Sequence, residues 1–152
     1  MMKEKIAILM GSESDRDTMI PAEEVLKEFN IPYETFIMSA HRNPDKVKDF
    51  ASKSRANGYK AIICGAGYAA HLAGIVASYT TLPVLSVPID SSPLKGIDSL
   101  YASVMMPSGV PVAVFTIGKT GAKNAAIFIT EMFSINDIEL AKKLKRMRED
   151  WN

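Results

Sequence analysis

Several kinds of chemistry are excluded by what this chain has little of. Its one cysteine, Cys64, rules out an intrachain disulfide and fits a reducing compartment. Its two histidines, His41 and His71, have no cysteine or acidic partner at ligand spacing, so no metal site is expected. Basic and acidic residues nearly cancel, 18 against 17, for a formal net charge of +1. That balance gives no electrostatic reason to expect nucleic acid or an anionic membrane as partner. No basic block is interleaved with aromatics either. No stretch approaches the roughly 20 apolar residues of a membrane span. The opening MMKEKIAILMGS carries an apolar run too short for a secretory signal with a small-residue cleavage site. The expectation is a soluble, cytoplasmic protein.

What is present reads as one domain over residues 1–152, with 47% hydrophobic residues to build a core. Short β-type runs alternate with helical patterns. Lys5 to Met10 is almost continuously apolar and stops at Gly11, as a strand buried on both faces does. Ser12 to Phe29 carries Met19, Ala22, Val25, Leu26 and Phe29 at helical spacing, with Asn30 just beyond the end. Tyr33 to Met38 is the second strand. Asn43-Pro44-Asp45 then opens a helix with a capping side chain, a first-turn proline and an acid at the positive dipole end. That helix stops near Asn57-Gly58. Lys60 to Gly65, Pro83 to Val87 and Val110 to Ile117 supply three more strands. Helices are expected after Ala66, from Gly96 to Met105 and after Gly118.

The tail, residues 134–152, forms a helical extension to the 1–133 core. Its stripe of Ile135, Ile138, Leu144, Met147 and Trp151 is expected to pack on a neighbouring subunit. Alternating strands and helices with right-handed crossovers give a parallel sheet covered on both faces. Five such strands predict an α/β, flavodoxin-like three-layer αβα sandwich with strand order 2-1-3-4-5.

In that order strand 1 lies between strands 2 and 3, so the turns following all three open at one edge of the sheet. Ligands bind at this carboxyl edge, near the switch point. The candidate site is therefore Gly11, Ser12, Ser14 and Asp15 from the first turn, Ser39, Ala40, His41 and Arg42 from the second, and Gly65, Ala66, Gly67, His71 and Leu72 from the third. The first turn offers hydroxyls and backbone N–H groups to an anion, and Arg42 adds a planar cationic fork suited to phosphate. Asp15 would repel phosphate but can accept hydrogen bonds from sugar hydroxyls. Phosphate, diol and a titratable group together describe a ribonucleotide-like ligand. The same serines and Asp15 also serve as ordinary helix caps, and both histidines also suit purely structural bonds. His41 precedes a helix N-terminus, which favours the neutral imidazole and leaves it able to shuttle a proton. The segment Gly118-Lys119-Thr120 is not a phosphate-binding loop: Ala113 stands where that motif needs glycine. Cys64 and Gly65 stand where a phosphoacceptor receiver domain would close its third strand with aspartate.

Taken in order, "MGSESDRDTM", "SAHRNPDKV", "GAGYAAHLAG", "LPVLSVPI", "GIDSLYASVMMPSGVPV" and "IGKTGAKNAA" resemble the successive blocks of the PurE family, class I, the N5-carboxyaminoimidazole ribonucleotide mutases of purine biosynthesis. The resemblance covers Ile6 to Phe133. It implies a homo-octamer working without metal, ATP or any other cofactor on a small ribonucleotide. A transient contact with the enzyme that makes the labile substrate also belongs to that picture. In it, the carboxylate on the exocyclic nitrogen is released as carbon dioxide and recaptured by ring carbon 4. His41 would be the catalytic acid/base; Ser12, Asp15 and Arg42 would bind substrate, with His71 and the Gly65 to Gly67 turn as a second lining segment. Arg42 and "AAHL" favour class I over class II, which carboxylates aminoimidazole ribonucleotide directly with free carbon dioxide. A non-catalytic nucleotide binder is the other reading of the scaffold. The chain departs from the class I pattern at Tyr68, Ala73, Asn43 and Met105, where glycine, proline, threonine and glutamine are usual.

Overall fold

The computed structural model describes residues 4–150. Strands β1 (Lys5–Met10), β2 (Tyr33–Ile37), β3 (Tyr59–Gly67), β4 (Val84–Ile89) and β5 (Ala113–Val114) form one parallel sheet in the order β2-β1-β3-β4-β5. Between and after them run helices α1 (Arg16–Glu28), α2 (Pro44–Lys53), α3 (Leu72–Tyr79), α4 (Ile97–Val104), α5 (Lys119–Ser134) and α6 (Ile138–Glu149).

Alternate residues of the central strands feed opposite faces, which is why their sequences are apolar throughout. Ile6, Ile8, Met10, Ile63 and Val87 meet Met19, Val25 and Leu26 of α1 and Ala122, Ala126 and Ile129 of α5. Ala7, Leu9, Ile62, Cys64 and Val84 meet Val47 and Ala51 of α2 and Leu72 and Val76 of α3. The result is the three-layer arrangement with the expected strand order.

Chain reversal at the helix ends follows from two positive-φ residues. Asn30 (φ 58) ends α1: its N–H donates to the Lys27 carbonyl, and the Ile31 N–H donates to that of Leu26. Gly58 (φ 85) closes the segment after α2 in the same way, with its N–H on Arg55 and that of Tyr59 on Ser54. Those reversals aim β2 and β3 back through the sheet. Met10 pairs with both Ile37 and Gly65, so β1 and β2 finish level at one edge while β3 runs on past them to Gly67.

Helix α4 reverses the usual polarity of a surface helix. Its serines face inward: the Ser86 hydroxyl donates to Ser103 at 3.0 Å, Ser103 to the Ser99 carbonyl at 2.8 Å, and Ser99 to the Ile89 carbonyl at 3.0 Å. Its apolar side chains, Ile97, Tyr101 and Val104, with Leu94 and Met105 at its ends, face outward.

Three elements differ from the sequence reading. Ser12 to Phe29 is not one helix but a 3-10 turn, Glu13–Asp15, followed by α1. The fifth strand is two residues rather than eight, because only Leu85 and Ser86 of β4 pair with it at the sheet edge. In the tail, Leu144 and the unforeseen Leu140 pack into the chain's own core, with Met147 against them, while Ile135 and Ile138 stay exposed. Trp151 lies outside the described residues. Among the described residues no helix is long and apolar enough to cross a membrane.

Candidate active site

The turn after β1 is organised by a capping box. The Ser14 N–H donates to Ser12 Oγ at 3.3 Å and the Ser12 N–H to Asp15 Oδ2 at 3.1 Å. Both backbone donors are thus engaged, so fewer N–H groups face an anion than the sequence suggested. The turn instead offers the Ser12 and Ser14 hydroxyls, 3.0 Å apart. Asp15 is only 5% exposed, and desolvation raises its carboxyl above the usual value, with the Ser12 N–H opposing in part.

The turn after β2 is held by Ser39, whose hydroxyl accepts from the Arg42 N–H at 3.2 Å and whose carbonyl accepts from the Asn43 N–H at 2.8 Å. Asn43 caps α2 through its backbone position alone. The expected side-chain cap is absent, and Pro44 and Asp45 begin the helix. His41 projects from this turn and is exposed.

After β3 the sequence reading requires a correction. The strand runs on to Gly67, and Gly65 is a packing position rather than part of the cleft wall. A Cβ there would stand 2.4 Å from Met19 Sδ, so Gly65 lets α1 lie close to the sheet. Gly67 does approach the cleft: a Cβ would meet Ser91 Oγ at 1.9 Å, and this close approach seats Ser91 in the wall. Tyr68 follows at φ 53, a left-handed conformation that disfavours a bulky side chain by about 1 kcal/mol or more. Two tight turns follow: the Ala70 N–H donates to the Tyr68 carbonyl at 2.9 Å and the His71 N–H to that of Ala69 at 2.8 Å. They deliver His71 to the capping position of α3, just before the helix rather than within it.

The three turns enclose a cleft of about 290 Å³. Gly11, Ser12, Ser14, Asp15, Ser39, Ala40, His41, Arg42, Ala66, Gly67, His71 and Leu72 all line it. Ser91, Tyr68 and Ala69 complete the wall. Ser91 was missed because it belongs to the turn after β4, one strand farther along the sheet. The two imidazoles meet directly, His41 Nε2 to His71 Nδ1 at 2.7 Å, with ring planes at 80° and centroids 4.8 Å apart. Among the described residues no three histidine, cysteine, aspartate or glutamate side chains are grouped to hold a metal ion. A larger concavity of about 790 Å³ opens elsewhere, along Phe29, Ile31, Met132 and Leu140, but no histidine lines it.

The family model for AIR carboxylase matches residues 5–152. N5-carboxyaminoimidazole ribonucleotide mutase of Haemophilus influenzae is 48% identical over 146 residues, 96% of this chain and 89% of that protein. The Bacillus subtilis protein of the same name is 49% identical over 149 residues, 98% of this chain and 92% of its own. A crystal structure of Treponema denticola PurE superposes with a TM-score of 0.82 at 32% identity, covering 97% of this chain and 90% of that one. A substituted form of Treponema denticola PurE2 gives 0.87 at 31% identity over 98% and 91% of the two chains. With the same fold, and the family's pattern running from the first strand to the end of the chain, this protein belongs to the AIR carboxylase family.

Proposed function

We propose that the chain is an N5-carboxyaminoimidazole ribonucleotide mutase. Near-full-length identity of 48% and 49% with two proteins of that name carries the reading. In the reaction, the bond between the exocyclic nitrogen and its carboxylate breaks, releasing carbon dioxide as His41 gives a proton to the nitrogen. Ring carbon 4 then attacks the retained carbon dioxide, and His41 recovers a proton from that carbon. Protons and carbon balance without any second substrate. Histidine suits both transfers because its unperturbed pKa lies close to working pH. A small cleft keeps the released carbon dioxide at high effective concentration, so recapture outruns escape. Arg42 and the Ser12–Ser14 hydroxyls suit the phosphate, and Asp15 the ribose hydroxyls.

The direct test supplies the purified protein with the N5-carboxylated nucleotide, without ATP, and follows formation of the carbon-linked isomer. Isomerisation is the expected result. Bicarbonate-dependent carboxylation of aminoimidazole ribonucleotide, without isomerisation, would make it a class II enzyme. Binding without turnover would make it a nucleotide binder.

The reading carries with it a cytoplasmic homo-octamer. The outward apolar face of α4 supports assembly, since Tyr101 is 63% and Met105 80% exposed in the single chain. Light scattering is expected to give eight times the chain mass.

Asp15 links binding to stability. Its carboxyl is raised in the folded state, so protonation favours folding. Its contribution is therefore fully present below the unfolded value of 3.8 and lost as pH rises through the higher folded value. At neutral pH the buried anion destabilises the free protein. Asp15→Asn keeps an acceptor for the Ser12 N–H and removes the charge. Thermal melts at pH 7 are expected to show a more stable variant, and nucleotide titration about tenfold weaker binding.

A further inference from the structure

We propose that His71 is a positioning residue for His41: its Nδ1 accepts a hydrogen bond from His41 Nε2–H and so confines proton exchange to His41 Nδ1. The proposal rests on the mutase reading for its kinetic consequence, and on the 2.7 Å contact between the two nitrogens for its geometry. At that separation one nitrogen must carry the hydrogen and the other a lone pair.

The two polarities are not equivalent for a histidine that cycles between acid and base. If His71 donated, protonating His41 on both nitrogens would set two N–H groups face to face and break the bridge. If His41 donates, the bridge persists unchanged whether His41 Nδ1 holds a proton or a lone pair. Only the second arrangement lets a proton come and go without turning a ring. It also requires His71 to remain neutral with its hydrogen on Nε2. The tight turns at Ala69 and Ala70 fix its backbone, and the Ser39 hydrogen bonds fix the turn carrying His41. The charged or titratable groups that share the cleft wall with the two histidines are Asp15, Arg42 and Tyr68, and Asp45 lies in the first turn of α2.

A neutral acceptor on Nε2–H stabilises the imidazolium form of His41, so its loss lowers the pH at which His41 becomes protonated. The test uses the full chain with His71→Leu, which removes the acceptor, and His71→Asn, whose Oδ1 stands in for Nδ1. In His71→Leu, kcat is expected to fall about 10-fold with KM little changed, and the alkaline limb of the pH profile, where His41 loses the proton it must donate, to move about one unit lower. In His71→Asn the limb is expected to return towards the wild-type position. Nitrogen-15 NMR of the histidines in the unliganded wild type is expected to show His41 Nε2 protonated on both sides of the titration of Nδ1. An unmoved alkaline limb in His71→Leu, or a His41 Nε2 that loses its hydrogen while His71 donates, would overturn the proposal. If the wild type fails to isomerise the nucleotide, the mutase reading falls, while the NMR measurement still decides the bridge. It also decides it should His71→Leu fail to fold.

Discussion

His41→Asn is expected to lower kcat by about 1,000-fold while nucleotide binding stays within a few-fold of wild type. Asparagine is similar in reach and polarity but has no group that titrates near neutral pH. Of the residues suited to phosphate and ribose, Ser12, Ser14 and Asp15 belong to a different turn with its own supports, and Arg42, beside His41, is held by its N–H on the Ser39 hydroxyl. The capping box that orders the first turn does not involve His41. Steady-state kinetics and equilibrium titration on the same preparation separate the two effects. Turnover within tenfold of wild type would remove His41 from the chemistry. Loss of binding as large as loss of turnover would make it a binding group instead.

The largest expected effect on folding comes from Gly121→Ala. Helix propensity alone would make this change stabilising by about 1 kcal/mol, because alanine is the better helix former. Gly121 is buried in the first turn of α5, and a Cβ there would fall 1.6 Å from the Thr116 carbonyl oxygen and 2.7 Å from its carbon. That obstacle is backbone, so no rotamer change relieves it. The turn from β5 into α5 must move, and Ala122, next along the helix, belongs to the core. A loss of about 3 kcal/mol is expected, read as a lower urea midpoint at matched protein concentration. A midpoint at or above wild type would show that the turn yields freely. Gly121, directly after the Gly118-Lys119-Thr120 segment, thus has a packing reason to be glycine.

Much of the fold could be read from the sequence because strands buried on both faces leave unbroken apolar runs. Lys5 to Met10 and Val84 to Ile89 lie between pairs of neighbours, and their composition says so. The edge strand is different. Val110 to Ile117 is just as apolar in sequence, yet only Ala113 and Val114 pair, because a run of this kind does not specify its hydrogen-bonding partner. The site was legible where topology dictated it, since three strand ends side by side must bring their turns together. Gly65 and Ser91 mark the limit of that logic. Whether a glycine admits a ligand or a methionine is decided by α1, which lies over it, and no local pattern carries that information. The capping role expected of Asn43 failed for a similar reason, since Ser39 already organises the turn through its hydroxyl and carbonyl.

The strand ends beneath the cleft have a consequence for how it breathes. Its floor continues strands hydrogen-bonded on both sides, whereas its walls at residues 12–15, 39–42 and 68–71 lie in turns beyond the ladder. Amides near the floor therefore exchange with solvent deuterium chiefly through global unfolding, and those of the walls through local opening. An occupant can be released by fraying of the rim alone, while the platform beneath it stays shut.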